Sequence, residues 1–371
     1  MKNYLEPDHA NLYLQRIEKL RTLLDEAKCD AFLINHPANL NYYTGYSGDS
    51  AYLLLTADHN IFFTDGRYTT QAAAEISSSF ELIRITSLNN LCQHLKENLK
   101  IKKLGIDEGK LSAGIWLKLR QNLNGKEPVA AASILSRPRQ HKDNEELKLL
   151  RKAVAIAEEA LQKILPQLHP GIRERDLATE MEYQIRRAGG EKAAFPLIIA
   201  SGPRSALPHG VASERFINPG DIVTIDFGAC YQGYHSDQTC TFFLEEPNQE
   251  VQRVYRALYK AQDRGLKALA TGISARELDH QVREVLAEAK LDKWFSHGTG
   301  HGVGLEIHEA PSISQQSPDK RLEPGMVFTI EPGCYFPNRW GIRIEDMIYL
   351  NDKGAEKLTT IDKSLAKMII A

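Results

Sequence analysis

The stretch Pro219-Gly220-Asp221-Ile222-Val223-Thr224-Ile225-Asp226 returns later in the chain as Pro324-Gly325-Met326-Val327-Phe328-Thr329-Ile330-Glu331. In both copies a Pro-Gly turn precedes an apolar run of strand type that ends in an acid. A second acid follows each copy, Asp237 after the first and Glu345 after the second. Two matched acid-bearing hairpins are the arrangement that a symmetric two-metal site needs.

A second pair of matched segments extends this repeat. Residues 171–177 read Gly-Ile-Arg-Glu-Arg-Asp-Leu, and residues 272–278 read Gly-Ile-Ser-Ala-Arg-Glu-Leu. The alternative explanation is coincidence of common helix-start and strand-entry chemistry, but two matched segments in the same order weigh against it. A unit of this size that occurs twice predicts an α+β fold with pseudo-twofold internal duplication, not a solenoid.

The sequence before this repeat predicts a smaller α/β domain. An amphipathic helix is expected at residues 9–28, strands at 30–35, 51–56, 60–64 and 81–86, and helices at 69–77 and 88–99. We predict an N-terminal domain at residues 1–135, a polar, proline-containing linker at 136–143, and a C-terminal domain at 144–371 whose first helix begins near Asn144.

The composition restricts the class of protein. The 371 residues carry a net charge of -2 without a basic block, which argues against nucleic acid as the main partner. No apolar run approaches the roughly 20 residues that a membrane helix needs, and the first residues lack the apolar region of a signal peptide. The five scattered cysteines are typical of free thiols in a reducing compartment. We expect a cytoplasmic protein that binds neither nucleic acid nor membrane.

The four acids are candidate metal ligands. If the first hairpin turns between residues 231 and 232, Asp226 and Asp237 face each other with Cβ atoms about 4.5–5.5 Å apart. Two carboxylates that close resist ionising together unless cations are present. Any one acid alone is better explained as a solvated or salt-bridged strand end. Four acids at matched positions, completed by Glu331 and Glu345, instead favour a site for two divalent cations.

Histidines lie between the two acid-bearing halves. His297, His301 and His308 fall within the Gly-rich segment 297–309, and the glycines flanking His301 leave its imidazole unobstructed. A lone histidine is more often packed or at the surface, whereas this cluster favours a site. Four carboxylates and one imidazole form an oxygen-rich set that favours Mn²⁺, Co²⁺ or Fe²⁺ over a structural zinc. Paired metals about 3.5–4 Å apart lower the pKa of a shared water, so the pattern predicts a hydrolase.

At these residues the chain closely resembles the pita-bread metallopeptidases, specifically the Xaa-Pro aminopeptidase and Xaa-Pro dipeptidase (prolidase) group. In the C-terminal domain, the resemblance is carried by residues 200–210, 226–228, 236–237, 297–309, 331–333 and 343–346. In the N-terminal domain, residues 39–46 and 64–68 resemble the creatinase-type domain of the same group. The resemblance implies a C-terminal pita-bread (creatinase/aminopeptidase) fold preceded by a creatinase-type α/β domain.

The resemblance also implies a ligand set and a cofactor. Asp226 would bind one metal, Asp237 and Glu345 would bridge both, and His301 and Glu331 would complete the shell of the other. Two divalent ions are expected, with Mn²⁺ favoured and Co²⁺, Fe²⁺ and Zn²⁺ as alternatives.

Catalytic roles follow from the same resemblance. Glu331 would accept a proton from the nucleophilic water and pass it to the departing proline nitrogen. His209, His297 and His308 would hold the substrate and stabilise the oxyanion. Arg343 would orient the substrate or the ligands from nearby.

One position departs from the family pattern. After the second aspartate the family usually has Thr-Arg-Thr, whereas this chain has Thr239-Cys240-Thr241. Because all five direct ligands are present, we expect hydrolysis to survive, with substrate preference, metal affinity or rate open to change. A packed thiol is favoured for Cys240 over a soft metal ligand.

The predicted function is metal-dependent hydrolysis of the Xaa-Pro bond, releasing the N-terminal residue of proline-containing peptides. A prolidase restricted to dipeptides is the alternative. The N-terminal domain and the segment 207–209 argue against a methionine aminopeptidase, and the retained ligands argue against creatinase-like chemistry and a non-catalytic binding protein. The resemblance further implies a homodimer in which the N-terminal domain partly covers a neighbouring active site.

Overall fold

The structure, a computed structural model, describes residues 7–97, 101–123, 125, 127–269 and 272–370, without the side chains of residues 7–10 and 97. Internal contacts divide the chain into two compact units, Met1–Arg139 and Gln140–Ala371. In the part of the chain that the structure describes, we find no helix with both the length and the apolar character of a membrane span.

The first unit contains one six-stranded mixed sheet in the order β4-β3-β2-β1-β5-β6. Its strands are β1 (Ala31–Ile34), β2 (Ala51–Thr56), β3 (Asn60–Thr64), β4 (Glu81–Arg84), β5 (Lys103–Ile106) and β6 (Glu127–Ala130). Its helices are α1 (Pro7–Arg21), α2 (Leu24–Ala27), α3 (Pro37–Thr44), α4 (Thr69–Glu75), α5 (Leu88–Glu97), α6 (Ala113–Asn122) and α7 (Ala132–Ser136). The four predicted strands are present, and the predicted end of α5 near residue 99 lies outside the described residues.

The first predicted helix is interrupted. It was expected to run over residues 9–28, but α1 ends at Arg21 and the short α2 follows. Thr22 Oγ1 donates to the carbonyl of Lys19 at 2.7 Å. A threonine hydroxyl bonded to a nearby carbonyl competes with the helical hydrogen bonds. Lys28 then ends α2 in the left-handed conformation.

The second unit carries four long helices and thirteen strands among its described residues. The helices are α8 (Asn144–Ile164), α9 (Glu174–Arg187), α10 (Gln249–Ala268), α11 (Ala275–Glu288) and the short α12 (Leu365–Met368). The strands are β7 (Lys192–Ala193), β8 (Ile198–Ser201), β9 (Ile222–Phe227), β10 (Ala229–Tyr231), β11 (Tyr234–His235), β12 (Gln238–Phe243), β13 (Gly300–Gly302), β14 (Glu309–Ile313), β15 (Val327–Ile330), β16 (Gly333–Phe336), β17 (Trp340–Arg343), β18 (Asp346–Asn351) and β19 (Gly354–Lys357). Single 3-10 turns lie at Arg137–Gln140, Leu165–Gln167, Gly202–Ala206 and Asp292–Trp294.

The helix that opens the second unit begins where the sequence predicts. Asp143 caps α8 by accepting from the backbone N–H of Glu146, and the Glu146 side chain accepts from the N–H of Asp143 in return. This reciprocal capping box satisfies two amides that a helix start leaves without partners. The apolar stripe of α8 packs into the core that the strands of this unit share with the other long helices.

The internal duplication is visible in the backbone. The helix pair α8–α9 precedes the strands of the first copy, and α10–α11 precedes those of the second. The glycines of the two Gly-Ile turns, Gly171 and Gly272, both have φ of 95°. The glycines of the two Pro-Gly turns, Gly220 and Gly325, also have positive φ, at 73° and 95°. Because this conformation is strained for residues with a Cβ, the repeated glycines mark turns that both copies require.

The first acid-bearing hairpin has a different register from the one expected. Asp226 pairs with Thr239, and the turn lies at Gln232 and Gly233, whose φ values are 48° and 81°. Positive φ at both central residues is the turn geometry that matches the twist of a hairpin. The turn is therefore centred one position later than expected, and Asp237 lies diagonal to Asp226 instead of opposite it.

The second hairpin places its acids face to face. β15 pairs with β18 and β16 with β17 in one continuous register, which sets Glu331 opposite Glu345 between the two ladders. Here the backbone N–H of Glu331 donates to the carbonyl of Thr299 at 2.8 Å, and that of Glu345 donates to the carbonyl of Thr239 at 3.2 Å. The second of these bonds joins the two copies directly.

We predict that Gly228→Ala destabilises the fold by about 1–3 kcal/mol or more, because overpacking is costly where backbone blocks the new atom. A Cβ at Gly228 would lie 1.8 Å from the carbonyl oxygen of Ser236. Urea unfolding followed by circular dichroism measures the change. The control is Gly114→Ala on α6, where the added Cβ would lie 4.0 Å from Ser112 Oγ and helix propensity favours alanine. Equal stability of the two variants would contradict the close approach at Gly228.

Candidate metal centre

A cavity of about 720 Å³ opens in the second unit, at the junction of the two hairpins. All nine side chains predicted for the site line it: His209, Asp226, Asp237, His297, His301, His308, Glu331, Arg343 and Glu345. The duplicated fold therefore brings residues that are far apart in sequence to the lining of one cavity.

Three of the predicted ligands form a compact group in the lining of this cavity. Ligand atoms of Asp237, His301 and Glu345 all lie within 4.8 Å of one another. His301 Nε2 lies 3.5 Å from Asp237 Oδ2 and 3.6 Å from Glu331 Oε1. The group thus combines one imidazole nitrogen with carboxylates from both copies of the hairpin.

Asp226 lies in the same cavity and is held from one side. Arg343 Nη2 donates to its Oδ2 at 2.7 Å. Its other oxygen, Oδ1, is buried and has no hydrogen-bond partner among the described residues. A buried carboxylate oxygen without a donor is costly unless a cation binds it. This orphaned oxygen and the oxygen-rich donor set fit divalent ions of the Mn²⁺ type.

The electrostatics of the acids point the same way. Burial raises the pKa of Asp237 and Glu345 well above the usual range, and the neighbouring carboxylates raise it further. Burial also raises the pKa of Glu331 to about 8, with Arg343 opposing the shift and Asp226 adding to it. Carboxylates so placed resist carrying their charges together at neutral pH. Bound cations reverse this by compensating the charge.

His301 is prepared as a neutral ligand. Burial lowers the pKa of this imidazole to about 4, and His308 lowers it further. Its Nδ1 lies 3.1 Å from the carbonyl of Gly302, so Nδ1 carries the proton and Nε2 keeps its lone pair towards the acids. The flanking glycines are needed for space: a Cβ at Gly300 would lie 1.9 Å from the carbonyl oxygen of Thr329, and one at Gly302 would lie 2.3 Å from that of Ala310.

Thr239 connects the candidate ligand Glu345 with the guanidinium of Arg343. Its hydroxyl donates to Glu345 Oε2 at 2.6 Å and accepts from Arg343 Nε at 3.0 Å. Because the hydroxyl has both roles, it fixes the orientation of a carboxylate and a guanidinium at once.

A tyrosine that the sequence analysis did not select completes this arrangement. Tyr335 Oη accepts from Arg343 Nη1 at 2.8 Å and lies 2.8 Å from His297 Nε2. His297 Nδ1 lies 2.8 Å from the carbonyl of Gly298, so Nδ1 is the donor and Nε2 accepts from the tyrosine. Tyr335 lies on β16 four residues after Glu331, and nothing in an apolar strand marks its hydroxyl as functional. Its contacts are visible only in the folded structure, where β16 pairs with β17 and the tyrosine ring lies beside His297.

Cys240 lies away from the cavity. Its side chain belongs to the hydrophobic core of the second unit, where burial raises the pKa of the thiol to about 12. A protonated thiol in the core agrees with the packed thiol that the sequence favours at this position.

Comparison with known families gives two matches. Residues 148–352 match the model of metallopeptidase family M24. Residues 16–141 match the model of the creatinase/prolidase N-terminal domain. Together the two matches cover most of both structural units.

Individual relatives agree with these matches over nearly the full length. A curated Xaa-Pro dipeptidase from Pyrococcus furiosus is 38% identical over 95% of this chain and 99% of its own. The structure of an Xaa-Pro dipeptidase from Bacillus anthracis is similar with a TM-score of 0.92 and 36% identity, over 96% of this chain and 100% of the other. That of an X-Pro aminopeptidase from Thermotoga maritima is similar with a TM-score of 0.86 and 34% identity, over the same shares.

We expect the metal-free protein to gain thermal stability when Mn²⁺ is added, because an ion that binds only the folded state stabilises it. At about 100 times the dissociation constant the gain is roughly 2.7 kcal/mol. Differential scanning calorimetry with and without the ion measures it, and Glu345→Gln should abolish most of it.

The control for this measurement is Asp221→Asn, an acid in the same duplicated stretch that pairs with Arg215 outside the cavity lining. This variant should keep the full metal-dependent gain even if its baseline stability falls. An equal gain in Glu345→Gln and in the unchanged protein would contradict the ligand assignment.

Proposed function

Because this chain belongs to metallopeptidase family M24, we propose that it hydrolyses the Xaa-Pro bond at the N-terminus of peptides, as an Xaa-Pro aminopeptidase. The family makes it a metal-dependent peptidase of pita-bread fold with a creatinase-type N-terminal domain. The observation that carries the proposal is the group of Asp237, His301 and Glu345 in the lining of a cavity of peptide size.

Two divalent ions would be held by Asp226, Asp237, His301, Glu331 and Glu345. When bound, such ions polarise a carbonyl and lower the pKa of water, which supplies a nucleophile near neutral pH. Mn²⁺ remains the favoured ion, since the donor set is mainly carboxylate oxygen.

The remaining chemistry belongs to the side chains. Glu331 accepts a proton from the attacking water and delivers it to the proline nitrogen, which must be protonated to leave. His209 and His308 line the cavity and would donate an N–H to the carbonyl oxygen as negative charge develops there. His297 is held by Tyr335 and Gly298 in one tautomer.

We attribute the preference for proline to the apolar residues in part of the cavity lining. The nitrogen of an Xaa-Pro bond carries no hydrogen. A site that binds the scissile amide by accepting its N–H could therefore not bind this bond in the same way. An apolar part of the lining instead offers contact to a pyrrolidine ring through Phe195, Pro196, Ile198, Pro208 and Val211.

The charges of the lining favour an aminopeptidase over a dipeptidase. A dipeptidase must bind the free carboxylate that follows proline. In the described lining no lysine is present and two residues are arginines. Arg283 is paired with Asp279 at 2.8 Å, and Arg343 with Asp226 at 2.7 Å. Because the N–H groups of Arg343 already donate within the protein and Arg283 is paired with Asp279, a substrate carboxylate would have to displace existing partners to bind either arginine.

The relatives named Xaa-Pro dipeptidase favour the second candidate, a prolidase restricted to dipeptides. A homodimer, a cytoplasmic location, and the absence of nucleic-acid and membrane partners are also part of the proposal, and they are supported by composition and resemblance. Sedimentation at working concentration tests the dimer, and a monomer would contradict it.

Metal-stripped protein, with and without added Mn²⁺, should be assayed on an Xaa-Pro-Xaa tripeptide, an Xaa-Pro dipeptide and an Xaa-Ala-Xaa tripeptide. We expect metal-dependent release of the first residue from the proline tripeptide and little reaction with the alanine peptide. Mass spectrometry identifies the products. Cleavage of the dipeptide alone would establish the prolidase instead, and no cleavage by metal-loaded protein would overturn both.

Glu331→Gln should lower kcat on the proline tripeptide about 10²- to 10⁴-fold, the usual range for losing a general acid–base group. Metal content is determined on the same samples by atomic emission, so that loss of proton transfer is separated from loss of the ion. Glu306→Gln, an acid in the segment between His301 and His308 but outside the cavity lining, is the matched control and should keep kcat within about twofold. Full activity of Glu331→Gln would remove this residue from the mechanism.

A further inference from the structure

A buried lysine lies against the main chain of the candidate ligand Glu345 and is not among the described residues that line the cavity. Lys363 is 2% exposed, among the most buried large side chains of the described residues. It comes from the segment before α12, 18 residues after Glu345. A lysine is almost never buried to this degree unless its charge is paired.

The ammonium has an acceptor for each of its three N–H groups. Lys363 Nζ donates to the backbone carbonyl of Glu345 at 2.7 Å, to Asp346 Oδ1, and to Gln238 Oε1 at 3.4 Å. These acceptors lie on β12 and on the Glu345–Asp346 junction between β17 and β18. The one cation therefore links two strands that belong to different copies of the duplicated unit.

Lys363 binds the backbone carbonyl of Glu345, while Thr239 holds the carboxylate and the backbone N–H of the same residue. The Glu345 carboxylate accepts from the Thr239 hydroxyl, and its backbone N–H donates to the Thr239 carbonyl. Its own carbonyl is the group that Lys363 binds. With all three anchors present, the main chain of this ligand is fixed at both ends of the residue.

The lysine is itself held in place by the core. The hydroxyl of Tyr255 on α10 donates to the Lys363 carbonyl at 2.8 Å. Gln238 is bound from its other side by Glu158 of α8, whose carboxylate also accepts from the backbone N–H of Thr360 at 2.6 Å. The segment that contains Thr360 and Lys363 is thus hydrogen-bonded to the long helices α8 and α10.

We infer that Lys363 is a positioning residue for the metal centre, which sets the backbone of Glu345 so that its carboxylate meets Asp237 and His301. The inference rests on the ligand set proposed above. Groups that orient ligands from outside the metal shell typically change affinity about 10- to 100-fold when removed.

The test is Mn²⁺ binding to metal-stripped protein by isothermal titration calorimetry, a readout that does not depend on catalysis. Lys363→Met, which keeps the length of the side chain and removes the charge, should weaken binding about tenfold or more. Lys363→Arg, which keeps the charge and the donors, should recover part of that loss. Circular dichroism confirms that each variant is folded at the temperature of titration.

Lys357→Met is the matched control. Lys357 Nζ is the other cation on Asp346, at 2.7 Å from Oδ2, but its side chain is 38% exposed. Its ion pair is with Asp346 and not with the ligand Glu345. It should leave Mn²⁺ affinity within about twofold, because it does not touch a ligand. If Lys363→Met and Lys357→Met lower affinity equally, the effect is one of charge on Asp346 and the positioning role is wrong.

A purely structural role is distinguished in the same experiment. If Lys363→Met unfolds at a lower temperature but binds Mn²⁺ with unchanged affinity, the inference is overturned. Should that variant not fold, Lys363→Gln, which retains an N–H donor, is titrated against the same tenfold criterion. Failure of the substrate assay in metal-loaded protein would contradict the proposed function alone, since this titration involves no peptide.

Discussion

The site is organised by one electrostatic constraint: four carboxylates share a small buried volume. Burial and the neighbouring carboxylates raise the pKa values of Asp237 and Glu345, and burial raises that of Glu331. The four acids therefore resist being charged together unless cations are bound. The orphaned oxygen of Asp226 shows the same constraint at the level of a single atom. Divalent ions resolve it, and the family to which the chain belongs is one of metal-dependent peptidases.

The duplication explains how the chain brings these acids together. Each copy supplies one hairpin, and the bond from the Glu345 N–H to the Thr239 carbonyl joins the two. The strands also approach each other closely, since Gly228 and Gly300 lie where any side chain would meet a backbone carbonyl oxygen. A rigid frame of this kind keeps the ligands in place before the ions bind, which limits the reorganisation that binding would otherwise require.

Around this frame, most polar groups act through one another. Arg343 contacts Asp226, Thr239 and Tyr335, and through the tyrosine it fixes the tautomer of His297. Such a network is sensitive to any member, because the Thr239 and Tyr335 hydroxyls each bond two neighbours and so pass the orientation of one group to the next.

The sequence by itself determined the α+β class and the repeat, because an apolar strand ending in an acid, written twice, records local backbone geometry and chemistry directly. It also selected nine side chains that the fold brings to the lining of one cavity. It also determined the N-terminal strands, whose runs are long enough to recognise. Register, however, was decided by the turn at Gln232 and Gly233, where one position separates two plausible hairpins. The contacts of Tyr335 and Lys363 were decided only by the tertiary structure. Their contacts depend on how the strands and the last segment pack together, and no local pattern distinguishes a buried hydroxyl or ammonium that is bound from one that is solvated.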